Sequence, residues 1–215
     1  MNIDPAETIG AVVRKVASRE HLGKPARVVV AGRRYDTDID DLWDALTNAE
    51  RIPRWFLPIS GELRLGGRYQ FRGNAGGEIT RCEPPRLLSV TWEYGAEVSW
   101  LNVTLAADGP GTRLELEHIA HVPDDRWDQF GPGAVGVGWD LGLMGLAKHL
   151  ASGAAVDPAA AFAWQTSEEG KAHMRACSEA WGRASIAAGT NEAAALAAAR
   201  RTSAFYTGEP AGGGG

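Results

Sequence analysis

The sequence predicts an α+β fold in which a curved antiparallel sheet wraps around one long helix in the C-terminal half of the chain. Three observations carry this reading. Six short strand-like segments, GELRL, RYQFRG, GEITRCE, LLSVTWEY, SWLNVTLA and TRLELEHIA, follow one another with only GG, GNAGG, EPPR and ADGPG among the connections. Connections that short fit antiparallel hairpins and leave no room for parallel crossovers. On the last segment Leu114, Leu116 and His118 share one face while Glu115 and Glu117 share the other, so one face is dry and needs a cover. The cover is residues 135–150, where Val135, Trp139, Leu143, Leu146 and Leu150 recur at spacings of three and four. A sheet that grips one helix in this way is a helix-grip fold, with an apolar cavity between the two.

The elements follow in order. Asp4-Pro5 reads as a cap and first turn, and Ile9, Val12, Val13 and Val16 recur at helical spacing until Gly23 and Pro25 stop the pattern, so an amphipathic N-terminal helix is expected. Residues 27–35 are a β-branched run, and the acids of 36–41 then supply capping side chains ahead of Leu42, Trp43 and Leu46: a strand, then a helix. A second short helical turn runs from Asn48 to Trp55, ended by Pro58, before the meander begins. After Gly153 the composition shifts to alanine. Asp157-Pro158 starts one helix, Ser167 caps a second, and Thr190 or Asn191 caps a third; Met174, Cys177, Trp181, Ala184 and Ala188 make the second amphipathic. The domain reading is therefore an N-terminal helical extension over 1–25, the helix-grip domain over 26–153, an Ala-rich helical extension packed on it over 154–207, and a flexible tail over 208–215.

Composition narrows the function. A net charge of −5 with no run of Lys or Arg removes the electrostatic drive toward nucleic acid. The two cysteines, Cys82 and Cys177, have no metal or redox spacing and fit a reducing compartment. The N-terminus lacks the basic start and apolar stretch of a signal peptide, and no run of 18 apolar residues occurs, so a cytoplasmic protein without a membrane span is expected.

The chemical motifs have plainer readings beside them. Gly131, Gly133 and Gly136 match G-x-G-x-x-G, but the preceding DDRWDQF is polar and helical in pattern and no βαβ unit surrounds it. Asp36, Asp38 and Asp40 fall at the first liganding positions of a calcium loop, yet Asp41 stands where glycine is required and Thr47 where the bidentate glutamate belongs; a helix N-terminus explains the acids better. His118 and His121, three apart on a strand, point to opposite faces and cannot share a metal. No acid, base and oxyanion set is recognisable, so no catalytic residue, metal site or cofactor is assigned.

The string YDTDIDDLWDALTNAERIPRWFLP, followed by GELRLGGRYQF, the GEITRCEPPRLLSVTWEY hairpin and GVGWDLGLMGLAKHL, resembles the bacterial activator-of-heat-shock-ATPase-like group of the START and birch-pollen-allergen (SRPBCC) superfamily. The resemblance covers about residues 27–152; its most specific parts are Trp43, the Arg54-Trp55-Phe56 triplet and PPRLLSVTW. It implies a helix-grip fold whose cavity different relatives use for lipids, hormones or polyketides, and a co-chaperone role in eukaryotic relatives that carry a further N-terminal domain. The leading expectation is a binding protein for a small hydrophobic molecule, the second a co-chaperone or other protein-interaction module, and the third a cyclase- or hydrolase-type enzyme on an apolar substrate. Inward strand parity and the helix face nominate Trp55, Phe71, Trp92, Leu101, Val103, Leu116, His118, Trp139 and Leu143 as the cavity walls. Apolar stripes on the terminal helices also suggest a homodimer.

Overall fold

A computed structural model describes residues 5–209. Among them are eight strands, β1 (Val12–His21), β2 (Lys24–Tyr35), β3 (Ile59–Gly61), β4 (Arg68–Phe71), β5 (Gly76–Glu83), β6 (Leu87–Tyr94), β7 (Glu97–Asp108) and β8 (Gly111–Ala120). They form one antiparallel sheet in the order β1-β2-β8-β7-β6-β5-β4-β3. Seven helices accompany them among the described residues: α1 (Pro5–Gly10), α2 (Ile39–Thr47), α3 (Asp124–Phe130), α4 (Gly133–Ser152), α5 (Pro158–Thr166), α6 (Glu168–Ala187) and α7 (Glu192–Thr207). This is the α+β helix-grip architecture, with its long C-terminal helices.

The described residues pack as two compact units. One is built from the chain up to Ala31, His121–Leu141 and the residues from Asp157 onward; the other comprises Gly32–Ala120 and Gly142–Val156.

In the first unit the N-terminal helix is present but ends at Gly10, and the expected helix over Val12 and Val16 is instead strand β1. The reason is local. Val12, Arg14 and Val16 alternate inward with exposed Val13, Lys15 and Ala17, a period of two that β-branched residues favour. Leu22 and Gly23 then take φ of 50° and 74°, the paired positive values of a two-residue hairpin turn whose twist suits the flanking strands. A leucine in the first turn position hid that signal. In the helical part of the unit, Asp157, Ser167 and Asn191 each accept a hydrogen bond from a backbone N–H in the first turn of α5, α6 and α7. α6 turns Met174, Cys177, Ser178, Trp181 and Ser185 inward. Gly182 lets α7 approach closely, since a Cβ there would meet the Ala199 Cβ at 3.0 Å.

In the second unit Asp38 caps α2, its carboxylate accepting the Asp41 N–H at 2.8 Å. A 3-10 turn over Ile52–Arg54 follows. The segment GELRL is not a strand: pairing is confined to Ile59–Gly61, and Gly66 and Gly67 bond across to Ile79 as a loop. From β4 to β8 the hairpin meander runs as the sequence spacing required.

Candidate functional site

Register decides which side chains of the second unit share a face. Leu105, Val103 and Leu101 on β7 stand opposite Leu114, Leu116 and His118 on β8. On the other side Val103 and Leu101 face Leu88 and Val90 of β6, and Ser99 faces Trp92. Val90 and Leu88 in turn stand opposite Ile79 and Cys82 of β5, and Phe71 on β4 faces Ile59 of β3. The result is one continuous apolar wall across six strands. The opposite face carries a polar ladder instead: Ser89 Oγ donates to Asn102 Oδ1 at 2.7 Å, and Asn102 Nδ2 donates to Glu117 Oε2 at 2.9 Å.

The wall is filled unevenly. At the β7–β8 end Leu101, Leu105, Leu114 and Leu116 are buried. At the β4–β5 end Tyr69, Phe71, Ile79 and Ile52 form a buried cluster, but Phe56, Leu57, Ile59, Leu63, Cys82, Leu88, Val90 and Trp92 against it are only partly buried. Phe71 packs its ring 5.7 Å from Trp92 and edge-on to Phe56 at 5.0 Å.

Of the residues nominated from sequence, Phe71, Trp92, Leu101, Val103, Leu116 and His118 lie on this face. Trp55 sits beside it, its ring 5.5 Å from Phe56 and its indole N–H donating to the Ala45 carbonyl at 2.8 Å. Leu143 on α4 is buried, and its carbonyl accepts the Tyr35 hydroxyl at 3.2 Å. A Cβ on Gly145 would lie 2.6 Å from the Trp55 carbonyl oxygen, so the end of α4 passes tightly over that turn. Trp139 falls in the first unit, half-buried on the opening half of α4. Val135, expected on the inward stripe of that helix, is exposed; the buried positions there are Gly136, Val137 and Asp140.

Sequence reasoning passed over Ser99, although it shares the parity of Leu101 and Val103. Ser99 Oγ donates to the Trp92 carbonyl at 3.1 Å and lies 2.8 Å from His118 Nε2. A hydroxyl has one proton; with that proton on Trp92 O, the contact with His118 requires the proton on Nε2. Burial lowers the His118 pKa to about 4, so the ring is neutral at physiological pH. A base held that low takes up a proton poorly, and Ser99 already directs its own proton to a carbonyl. The pair is therefore a polar anchor on an apolar wall rather than a nucleophile and its base.

A second histidine braces the unit. His149 Nδ1 lies 2.9 Å from the Ala154 carbonyl, which can only accept, and Nε2 receives Arg51 Nε at 3.2 Å. Arg51 also bonds Asp41 and Asp44 of α2. Helix α2 is thereby tied to the end of α4.

The first unit holds its own buried polar group. Arg14 lies 3.1 Å from Asp140 Oδ2, which also accepts the Trp181 indole N–H at 3.0 Å. Burial pushes the Asp140 carboxyl up, opposed by Arg14 and by the N–H of Trp181. Burial likewise pushes the neighbouring Cys177 thiol up, away from reactivity. The G-x-G-x-x-G glycines lie here, and each has a packing role. Gly131 ends α3 with φ of 60°, Gly133 sits against Thr202, and Gly136 lies beneath the Trp181 ring. A groove of about 270 Å³ runs past Phe130, Ser178, Gly182, Ser185 and Ala198. Ser178 bonds Met174 O and Ser185 bonds Thr190.

No helix among the described residues is long and apolar enough to cross a membrane. Comparison with curated proteins gives no match. Among solved structures, CalU16 from Micromonospora echinospora is similar in its crystal form at 33% identity, covering 81% of this chain and 98% of that one, with a TM-score of 0.66. Its solution structure gives 34%, 83%, 97% and 0.68. The protein MLL2253 from Mesorhizobium loti is 26% identical over 58% of this chain and 97% of that one, with a TM-score of 0.53. The family model described as activator of Hsp90 ATPase homolog 1-like protein matches residues 36–151, more than half of the chain and nearly all of the second unit. With that match, and with CalU16 alike over almost its whole length, the chain belongs to the activator of Hsp90 ATPase homolog 1-like family.

Proposed function

We propose that the chain binds a small hydrophobic molecule against the wall formed by β3–β8, with Trp55, Phe71, Trp92, Leu101, Val103, Leu116, His118 and Leu143 as its lining. The observation that carries this reading is the uneven filling of the wall: apolar side chains in register on six strands, with Leu88, Val90 and Trp92 left half-covered beside a single neutral polar pair, Ser99 and His118. Apolar surface with one or two placed polar groups is the usual make-up of a small-molecule site.

The test is a fluorescence titration with the neutral apolar dye N-phenyl-1-naphthylamine. Saturable enhancement is expected for the native chain, with affinity about tenfold weaker in Val103→Trp, where the new ring occupies the wall. Absence of saturable binding to the native chain overturns the reading. The second reading, a protein-interaction role of the Hsp90-activator kind, takes its support from the description of the matching family. Adding the chain to a purified Hsp90 and measuring ATP turnover separates it from the first.

A further inference from the structure

Arg33 on β2 differs from Arg34, Arg51, Arg68 and Arg113 of its unit. Strand alternation puts Arg33 and Tyr35 on one face and Arg34 on the other. Arg34 is turned toward Asp36 and the Asp108 carbonyl, and Arg51, Arg68 and Arg113 likewise face carboxylates. Arg33 instead lies over the Tyr35 ring, 5.6 Å from its centroid, and its Nη1 is buried without a hydrogen-bond partner among the described residues. The Tyr35 hydroxyl, also buried, donates to Leu143 O on α4, and no hydrogen bond joins it to Arg33 Nη1.

The same bond shows which face Arg33 occupies: the one that looks toward α4. That end of β2 also borders the apolar wall. A Cβ on Gly111 would lie 2.4 Å from the Tyr35 carbonyl oxygen, Thr112 Oγ1 donates to Thr37 O at 2.8 Å, and the next inward residue of β8 is Leu114. A guanidinium N–H buried without an acceptor is costly to keep unless something else supplies the acceptor.

We infer that Arg33 is the anion-binding residue of this cavity and that its ligand is an apolar molecule bearing a carboxylate. The carboxylate meets the guanidinium, whose paired N–H groups match its two oxygens, and the apolar body lies along the wall. This inference rests on the hydrophobic-ligand reading above and adds the chemical class of the head group.

The experiment compares cis-parinaric acid with its methyl ester by fluorescence titration at neutral pH, on the native chain, on Arg33→Met and on Arg33→Lys, each checked for folding by near-ultraviolet circular dichroism. The native chain is expected to prefer the acid by about tenfold or more, since hydrogen bonds to a charged group exceed those to a neutral one by that order. In Arg33→Met the ratio of the two dissociation constants falls to about one, and Arg33→Lys retains part of the preference. Equal affinity of the native chain for acid and ester, or an undiminished preference in Arg33→Met, overturns the role of Arg33 while leaving the cavity reading standing. Failure of the native chain to bind either compound overturns both.

Discussion

His118 and Asp140 are buried ionisable residues with opposite dependence on a partner. His118 keeps its place by staying neutral. Burial lowers its pKa to about 4, against about 6.5 in the unfolded chain. Between those values the unfolded chain binds a proton that the folded chain refuses. Stability is therefore complete above about pH 6.5 and is lost progressively as the pH falls toward 4, by on the order of 3 kcal/mol for this residue. Urea unfolding at about pH 7 and about pH 5 should show roughly 2 kcal/mol of that loss, and His118→Gln should remove part of the difference. Asp140 needs Arg14 and Trp181. Asp140→Asn leaves the Arg14 guanidinium, 7% exposed, without its counter-charge, at an expected cost of about 3–5 kcal/mol. The double replacement Arg14→Met with Asp140→Leu should cost less than the single one when both are measured by denaturant titration. Period-two parity placed His118 on the dry face from sequence alone. The same reasoning could not place Asp140 or Arg33, because a charged residue reads as surface until its neighbours are known.

Among elements, α4 was legible in extent and, through the buried Leu143 and Leu146, in the face of its second half, but misjudged in its first turn. A stripe drawn through apolar letters alone picked Val135, which is exposed, and skipped Gly136 and Asp140, which are buried. Gly136 is where the helix meets Trp181: a Cβ would lie 2.3 Å from a ring carbon, and the ring is pinned by its bond to Asp140. Gly→Ala inside a helix ordinarily stabilises by about 1 kcal/mol. Gly136→Ala should reverse that sign and cost about 1–3 kcal/mol by thermal or denaturant unfolding, with a smaller cost in a Trp181→Leu background. The caps of α2, α5, α6 and α7 were readable because Asp38, Asp157, Ser167 and Asn191 act on backbone only two or three residues away. Strand β1 was not. Its valines satisfy helical and strand spacing at once, and the turn that decides between them uses a leucine with positive φ.

For the whole molecule, the meander from β4 to β8 could be read from sequence because its connections are short and its register follows from alternation. The unevenness of the wall could not, since partial burial depends on side-chain packing that strand alternation does not record. If the wall is a ligand site, occupancy must appear in global stability. N-phenyl-1-naphthylamine at one hundred times its dissociation constant should add about 2.7 kcal/mol. For a chain of this size that raises Tm by about 5–10 °C, measured by calorimetry, and the shift should fall to about half in Val103→Trp at the same dye concentration, since a tenfold weaker affinity leaves about 1.4 kcal/mol.

The strand order has a further consequence, for behaviour at high concentration. The sheet ends in β3, only three residues long, and in β1, whose exposed positions include Lys15, Arg19 and Glu20. A brief edge and a charged edge are both poor templates for adding another strand. A broad apolar wall in the interior is thus combined with a sheet margin that resists fibrous self-association.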